Sequence, residues 1–166
     1  MTARSTTTGG LARTAIGLLI ARGETIASAE SLTGGLVAAA LTSVPGASAA
    51  FRGGVVAYAT DLKAAVLGVP DDLLQLRGAV DPDVAEAMAQ GARARLETTV
   101  GISTTGVAGP DPADGKPVGT VFVAVAAPGG TISRPLLLSG DREAIRAATV
   151  DSVLDLLIAA LREDVG

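Results

Sequence analysis

From residue 11 to residue 22 the apolar positions recur at three- and four-residue intervals, the spacing of one helix face, and Gly23 follows as a natural stop. Residues 25–29 read as a short strand. Glu30-Ser31-Leu32-Thr33-Gly34-Gly35 comes next, then an Ala-rich helical stretch to about residue 42, so the order is strand, tight turn, helix. Val44-Pro45-Gly46-Ala47-Ser48 is loop chemistry, and residues 54–59 read as a second buried strand. Thr60 or Asp61 caps a short helix running to about residue 67. Asp81-Pro82 announces another helix, an Asp cap followed by proline in the first helical position, with Asp83 in the first turn and an end near residue 96. Residues 99–104 are a third strand that gives way to a loop over 105–117. Residues 119–126 and 132–138 read as two strands joined at Pro128-Gly129-Gly130, hence an antiparallel pair. Gly140-Asp141 opens a last long helix to about residue 162.

Residues 1–9 read as a polar, frayed arm, and residues 10–166 as one domain with no linker or repeat inside it. The alternation of elements predicts the α/β class: a single three-layer α/β/α domain with a mixed, mostly parallel sheet of about five strands. Ligands of such sheets sit beyond the carboxyl ends of the strands. Three segments fall there, at 30–35, 58–63 and 104–109.

Composition narrows the chemistry more than the fold. The core is aliphatic, with 48% hydrophobic residues but only 2% aromatic ones, namely Phe51, Tyr58 and Phe122. Thirteen basic residues against 17 acidic ones leave a net charge of −4, with no basic run and no aromatic platform. Nucleic-acid binding is therefore not expected. No apolar run approaches the roughly 20 residues that span a bilayer, so no membrane association is expected and a cytoplasmic location follows by default. Cysteine and histidine are both absent, which removes disulfides, thiolate chemistry, a Ser-His-Asp triad and a His/Cys zinc site. A general base must then come from a carboxylate, the amino terminus, Tyr58, Lys63 or Lys116, the last three being the whole stock of tyrosine and lysine.

Ser31 lies where a strand passes into a helix through the Gly34-Gly35 pair. Such a turn exposes a hydroxyl beside backbone N–H groups that stabilise negative charge, and glycines there admit a close-lying substrate. A plain N-cap at Ser31 or Thr33, with Gly34-Gly35 as a packing point, is the commoner explanation of the same six residues.

The wider pattern decides between these. Ala29-Glu30-Ser31-Leu32-Thr33-Gly34-Gly35 resembles the opening motif of the CinA carboxy-terminal domain family. The resemblance continues through Pro45-Gly46-Ala47-Ser48, Gly54-Val55-Val56-Ala57-Tyr58, Lys63-Ala64-Ala65-Val66-Leu67-Gly68-Val69 and Gly78-Ala79-Val80. It resumes at Thr105-Gly106-Val107-Ala108-Gly109-Pro110, Lys116-Pro117-Val118-Gly119 and Gly140-Asp141-Arg142, in order and in register over roughly residues 11–163. The resemblance implies a nicotinamide-nucleotide amidase of the stand-alone form, converting nicotinamide mononucleotide to nicotinate mononucleotide and ammonia. Ser31 matches the nucleophile position. The family usually carries Cys where this chain has Leu32, which is expected to reshape the pocket without removing the chemistry.

With Ser31 in that position, the matched Lys63 is the base expected to activate it, provided burial lowers its pKa. Tyr58 reads two ways: an ordinary strand residue, or a hydroxyl that bonds Lys63 or the substrate and shares in proton transfer. Thr105 and Gly106 offer a hydroxyl and a backbone N–H to an oxyanion, though turn formation explains them as well. Thr33, Gly34, Gly35, Gly106 and Gly109 are the expected backbone contacts to substrate. Arg142 and Arg146, one turn apart, read either as an exposed helix face or as the pair that binds a substrate phosphate. The loop from Asp111 to Lys116 is expected to be a mobile segment, with Lys116 a weaker phosphate candidate; it lacks the ligand spacing of an EF-hand. The expected reaction is acyl transfer with backbone amides near Gly34 and Gly106 holding the oxyanion, and it needs no metal or cofactor. Partners are limited to the small-molecule substrate and further copies of the chain, since an aliphatic, helix-covered domain suits a homo-oligomer. The rival readings are a nucleotide-binding or regulatory module without hydrolysis, and an amidase for some other small amide.

Overall fold

A computed structural model of the chain describes residues 7–163. The first helix, α1 (Thr8–Arg22), begins earlier than the apolar pattern suggested, because Thr7 caps it by accepting a hydrogen bond from Gly10 N. Two residues of the expected arm are thus helical, and residues 1–6 lie outside the described residues. Gly23 closes α1 in the left-handed conformation, donating its N–H to Ile20 O.

Five strands form one sheet in the order β2-β1-β3-β4-β5. These are β1 (Ile26–Glu30), β2 (Phe51–Val56), β3 (Val100–Gly106), β4 (Thr120–Ala127) and β5 (Gly130–Leu137). β1 pairs in parallel with β2 and β3, while β4 runs antiparallel to both β3 and β5. Four strands consequently point one way and only β4 points the other, so the sheet is mixed and mostly parallel in direction. The expected α/β/α layering is present. α1, α2 (Leu36–Thr42) and α6 (Arg142–Glu163) cover one face; α3 (Thr60–Leu67), α4 (Asp71–Arg77) and α5 (Pro82–Arg95) cover the other.

The two faces are packed by different means. Ile26, Val100, Ile102, Val121, Val123 and Val125 alternate along their strands toward α1 and α6, a branched-aliphatic layer. The opposite face carries small residues, among them Ala27, Ala29, Gly101, Ser103, Ala124 and Ala126, so α5 settles close to the sheet. A Cβ on Gly101 would lie 2.1 Å from Ala89 O, a contact no side chain survives. Ser103 Oγ donates across the same gap to Ala85 O at 2.5 Å. Proximity of this kind fixes the ends of β1 and β3 relative to α5, and those ends carry the site.

Two expectations are corrected. The second strand spans Phe51–Val56 rather than 54–59, and it is the exposed edge of the sheet, alternating half-buried and exposed, not a buried strand. Beyond it the chain keeps one rung, Ala57 N to Glu30 O, and then bends away. The helix α4 went unseen in the sequence; it begins after Pro70, carries Asp71 and Asp72 in its first turn and ends at Gly78. Among the described residues no helix is long and apolar enough to cross a membrane, and no group of three or more Asp or Glu residues is placed to hold a metal ion.

Candidate active site

The carboxyl ends of β2, β1 and β3 lie side by side, and a cavity of about 300 Å³ opens above them. Ser31 follows directly on β1. Its N–H continues the β1–β3 ladder by donating to Thr104 O at 3.0 Å, which holds the backbone while the side chain stands clear of the sheet. The chain then turns sharply: Gly34 and Gly35 both adopt positive φ, 55° and 107°, which a residue with a Cβ resists. Glu30, itself buried, receives Thr33 Oγ1 at 2.6 Å and the Val37 and Ala38 N–H groups, tying the turn to the start of α2. Arg146 secures the turn from outside by donating to Leu32 O at 2.9 Å and Thr33 O at 3.3 Å.

Lys63 projects from the first turns of α3 into this corner and is only 1% exposed. Its Nζ lies 3.1 Å from Ser31 Oγ, 2.8 Å from Ala57 O and 3.2 Å from Tyr58 O. The bend after β2 aims those two carbonyls at the amine. Burial drives the Lys63 pKa down from 10.5 to about 8, against an upward pull from the Asp114 carboxylate. A neutral amine retains two N–H donors and one lone pair. As an ammonium Lys63 donates to Ser31 Oγ and to both carbonyls. Once the proton is lost and the two N–H groups stay on Ala57 O and Tyr58 O, the lone pair faces Ser31 Oγ, within reach of its proton.

The end of β3 supplies the opposite wall. In the β3–β4 ladder Thr105 pairs with Phe122, and Val107 N donates to Thr120 O, so by alternation the Gly106 N–H faces the β1 side. β1 has ended there, and Ser31 O, the next acceptor in sequence, is taken by Gly34 N. Leu32 N, on the turn after Ser31, likewise has no protein acceptor among the described residues. Thr105 is buried and gives its hydroxyl proton to Ala79 O at 2.7 Å. Arg142, in the first turn of α6, spans the rim: it donates to Gly109 O at 2.6 Å and to Tyr58 Oη at 3.0 Å. The Tyr58 ring is 59% exposed, and its contact with Lys63 runs through the backbone carbonyl, not the phenol.

Ser31, Tyr58, Lys63, Thr105, Gly106, Gly109 and Arg142 therefore meet around one cavity. Thr33, Gly34, Gly35 and Arg146 do not line it. Thr33 is fully buried, with its hydroxyl between Glu30 and Thr104. Gly34 N is committed to Ser31 O, so that N–H is not a free donor at the turn. Arg146 borders a separate hollow with Leu36, Asp141 and Glu143, on the far side of Arg142. Lys116 is also away from the cavity lining. Sequence reasoning missed Asp114, which lines the cavity and accepts a hydrogen bond from Ala79 N at 3.1 Å. The Asp114-Gly115 pair was the available signal, since Asp-Gly marks a tight hairpin turn.

Fold and site together define an α/β domain with a buried Ser–Lys pair at the carboxyl edge of its sheet. Comparison with known proteins places it more narrowly: the CinA C-terminal domain family matches residues 5–161, and the chain belongs to that family. A CinA-like protein of Frankia casuarinae is 56% identical over 142 residues, covering 86% of this chain and 33% of that protein. A CinA-like protein of an Anaeromyxobacter species is 54% identical over 145 residues, covering 87% and 35%. The chain thus spans about a third of the length of these relatives. Among solved structures, the competence/damage inducible protein CihA of Agrobacterium tumefaciens superposes with a TM-score of 0.90 at 38% identity, covering 98% of this chain and 99% of that one. The competence damage-inducible protein A of Klebsiella pneumoniae gives 0.91 at 34%, covering 94% and 98%.

Proposed function

We propose that the domain is a serine amidohydrolase that cleaves a small carboxamide to a carboxylate and ammonia, with nicotinamide mononucleotide as its substrate. The observation that carries this reading is the Ser31 Oγ–Lys63 Nζ contact of 3.1 Å inside a 300 Å³ cavity, in a chain that offers no histidine. Neutral Lys63 takes the Ser31 proton as Oγ attacks the amide carbon. The tetrahedral oxyanion is met by Gly106 N–H and Leu32 N–H. Lys63 then returns its proton to the departing nitrogen, which leaves as ammonia. Water attacks the acyl-enzyme with Lys63 again taking a proton, and Ser31 is regenerated as the carboxylic acid departs.

Arg142 is the cation at the cavity mouth, suited to the phosphate of the nucleotide, and its bidentate reach from Gly109 O to Tyr58 Oη holds it in place without neutralising it. Leu32, where the family usually has Cys, is 3% exposed and packs in the core while also lining the cavity beside Ser31, so this difference bears on the shape of the pocket. A second reading, an amidase for a different small amide, is favoured by one observation: Tyr58 is the sole aromatic residue on the lining and it sits at the rim.

The test is ammonia release from nicotinamide mononucleotide, nicotinamide riboside and nicotinamide by the purified domain. The proposed function requires release from the mononucleotide and a kcat/KM at least roughly tenfold lower for the two compounds without phosphate. Equal rates on all three would remove the phosphate from the account. No release from any of them by folded protein would overturn it.

A further inference from the structure

The loop after β3 is built more tightly than its sequence suggests. Ala113 and Lys116 exchange two backbone hydrogen bonds, 3.3 Å and 2.8 Å, closing a two-residue turn. Asp114 and Gly115 at its tip both have positive φ, 52° and 69°, the type I′ arrangement of a tight hairpin. Asp114 is one of only two non-glycine residues with positive φ among those described, a conformation that Asp tolerates better than most residues and that an Asp-Gly turn calls for. The Asp114 side chain ties this turn to the neighbouring chain. Asp114 Oδ2 accepts Ala79 N at 3.1 Å, and Ala79 O in turn accepts Thr105 Oγ1 at 2.7 Å. The tip of the loop is thereby latched, through the single residue Ala79, to the strand end that carries Gly106. The same carboxylate faces the cavity that holds Lys63.

We propose that Asp114 is a positioning residue of the Ser31–Lys63 site: its hydrogen bond to Ala79 pins the 113–116 turn as one wall of the cavity, and its carboxylate, on the same lining as Lys63, is a charge that bears on the amine. The second half rests on the amidase reading only for its kinetic consequence. The charged and titratable groups presented to Lys63 are few. Asp111 and Asp114 come from the loop after β3, Arg142 from α6 and Tyr58 from the end of β2; among the described residues no other titratable side chain lines the cavity. Of these, Asp114 is the one that raises the Lys63 pKa, opposing the larger effect of burial. The two roles of the carboxylate therefore pull apart: the latch supports catalysis, while the charge keeps more of Lys63 protonated at neutral pH.

Two variants separate them. Asp114→Asn keeps an oxygen for Ala79 N and suits a positive φ, but loses the charge. Asp114→Gly carries the turn without strain and loses both charge and latch. Lys63 and Lys116 are the only lysines, so protein labelled with carbon-13 at lysine Cε gives two side-chain signals, assigned by Lys116→Arg. The midpoint for Lys63 should fall by about half a pH unit in both variants, the size of one nearby, partly solvated charge. For Asp114→Asn, kcat/KM on nicotinamide mononucleotide at pH 7 should then rise about two- to three-fold, a gain that shrinks toward the plateau at high pH. For Asp114→Gly that plateau should drop about tenfold as the wall loosens. An unmoved Lys63 midpoint in both variants would overturn the charge role, and an unchanged Asp114→Gly plateau would overturn the latch. The spectroscopic midpoint needs no substrate. A domain that releases no ammonia would therefore defeat the proposed function while leaving the charge role to stand or fall on the titration.

Discussion

Replacing Lys63 by methionine, a side chain of similar length with no charge, exposes what the buried amine costs the fold. Lys63 is 1% exposed and its pKa is pushed from 10.5 to about 8. Between those values the unfolded chain binds a proton that the folded chain does not, so the stability of the wild-type domain rises with pH through that window. Below pH 8 the full penalty is present, because the folded protein must bury an ammonium. A shift of that size corresponds to about 3 kcal/mol. Water reaching the cavity side of the amine screens part of it, which leaves about 2 kcal/mol. Lys63→Met has no such term. Its stability relative to wild type should therefore increase by about 2 kcal/mol as pH falls from about 10 to about 7, and then level off. The constant part of the difference, set by the orphaned Ala57 and Tyr58 carbonyls, drops out of this comparison. Urea unfolding of both proteins across that pH range measures it. A difference independent of pH would show that Lys63 titrates like a solvated lysine. A difference of the opposite slope would show that a charge partner outweighs burial. Either result removes the base from the mechanism.

Other consequences follow from the same geometry. Arg142→Ala should raise KM at least about tenfold with kcat nearly unchanged, whereas Arg146→Ala, which frees Leu32 O and Thr33 O, should lower unfolding free energy by about 1–2 kcal/mol. Steady-state kinetics beside urea melts distinguish the two arginines. Glu30→Gln turns a buried triple acceptor at the start of α2 into a side chain with an NH2 facing N–H donors, and should cost about 2–3 kcal/mol by denaturant unfolding. The kcat/KM of the wild-type domain should climb about tenfold per pH unit below the Lys63 midpoint of about 8 and flatten above it. A profile already flat at pH 6 would mean that no group of that pKa must lose a proton.

Much of this architecture could be read along the chain wherever one residue type has one physical job. Gly23 and Asp81-Pro82 marked helix ends correctly because a left-handed stop and an Asp-Pro start have few alternatives. α4 escaped because seven residues give fewer than two helical repeats of apolar pattern, and its cap signals alone were too slight. The edge position of β2 was hidden for another reason: Gly53, Gly54 and Val55 look as apolar as a central strand, and only pairing shows which flank stays open. At the site, the strand-end positions of Ser31 and Thr105, and the place of Lys63 on the helix after β2, followed from the order of elements and the family motifs. Side-chain direction did not. Thr33 and Arg146 lie beside Ser31 yet turn to Glu30 and to the turn's carbonyls, because buried polar groups must be satisfied. Asp114 lies in a loop with no apolar pattern to give it away, and its Asp-Gly tip was the one local sign of the closed turn found there.

The most direct measurement is ammonia release from nicotinamide mononucleotide by the wild-type domain and by Ser31→Ala, both verified as folded. Ser31 Oγ has Lys63 as its protein partner, so the substitution removes the nucleophile without dismantling the turn. The account requires steady release from the wild type and at least a roughly thousandfold loss in the variant, with substrate binding retained. Release that persists in Ser31→Ala would contradict it.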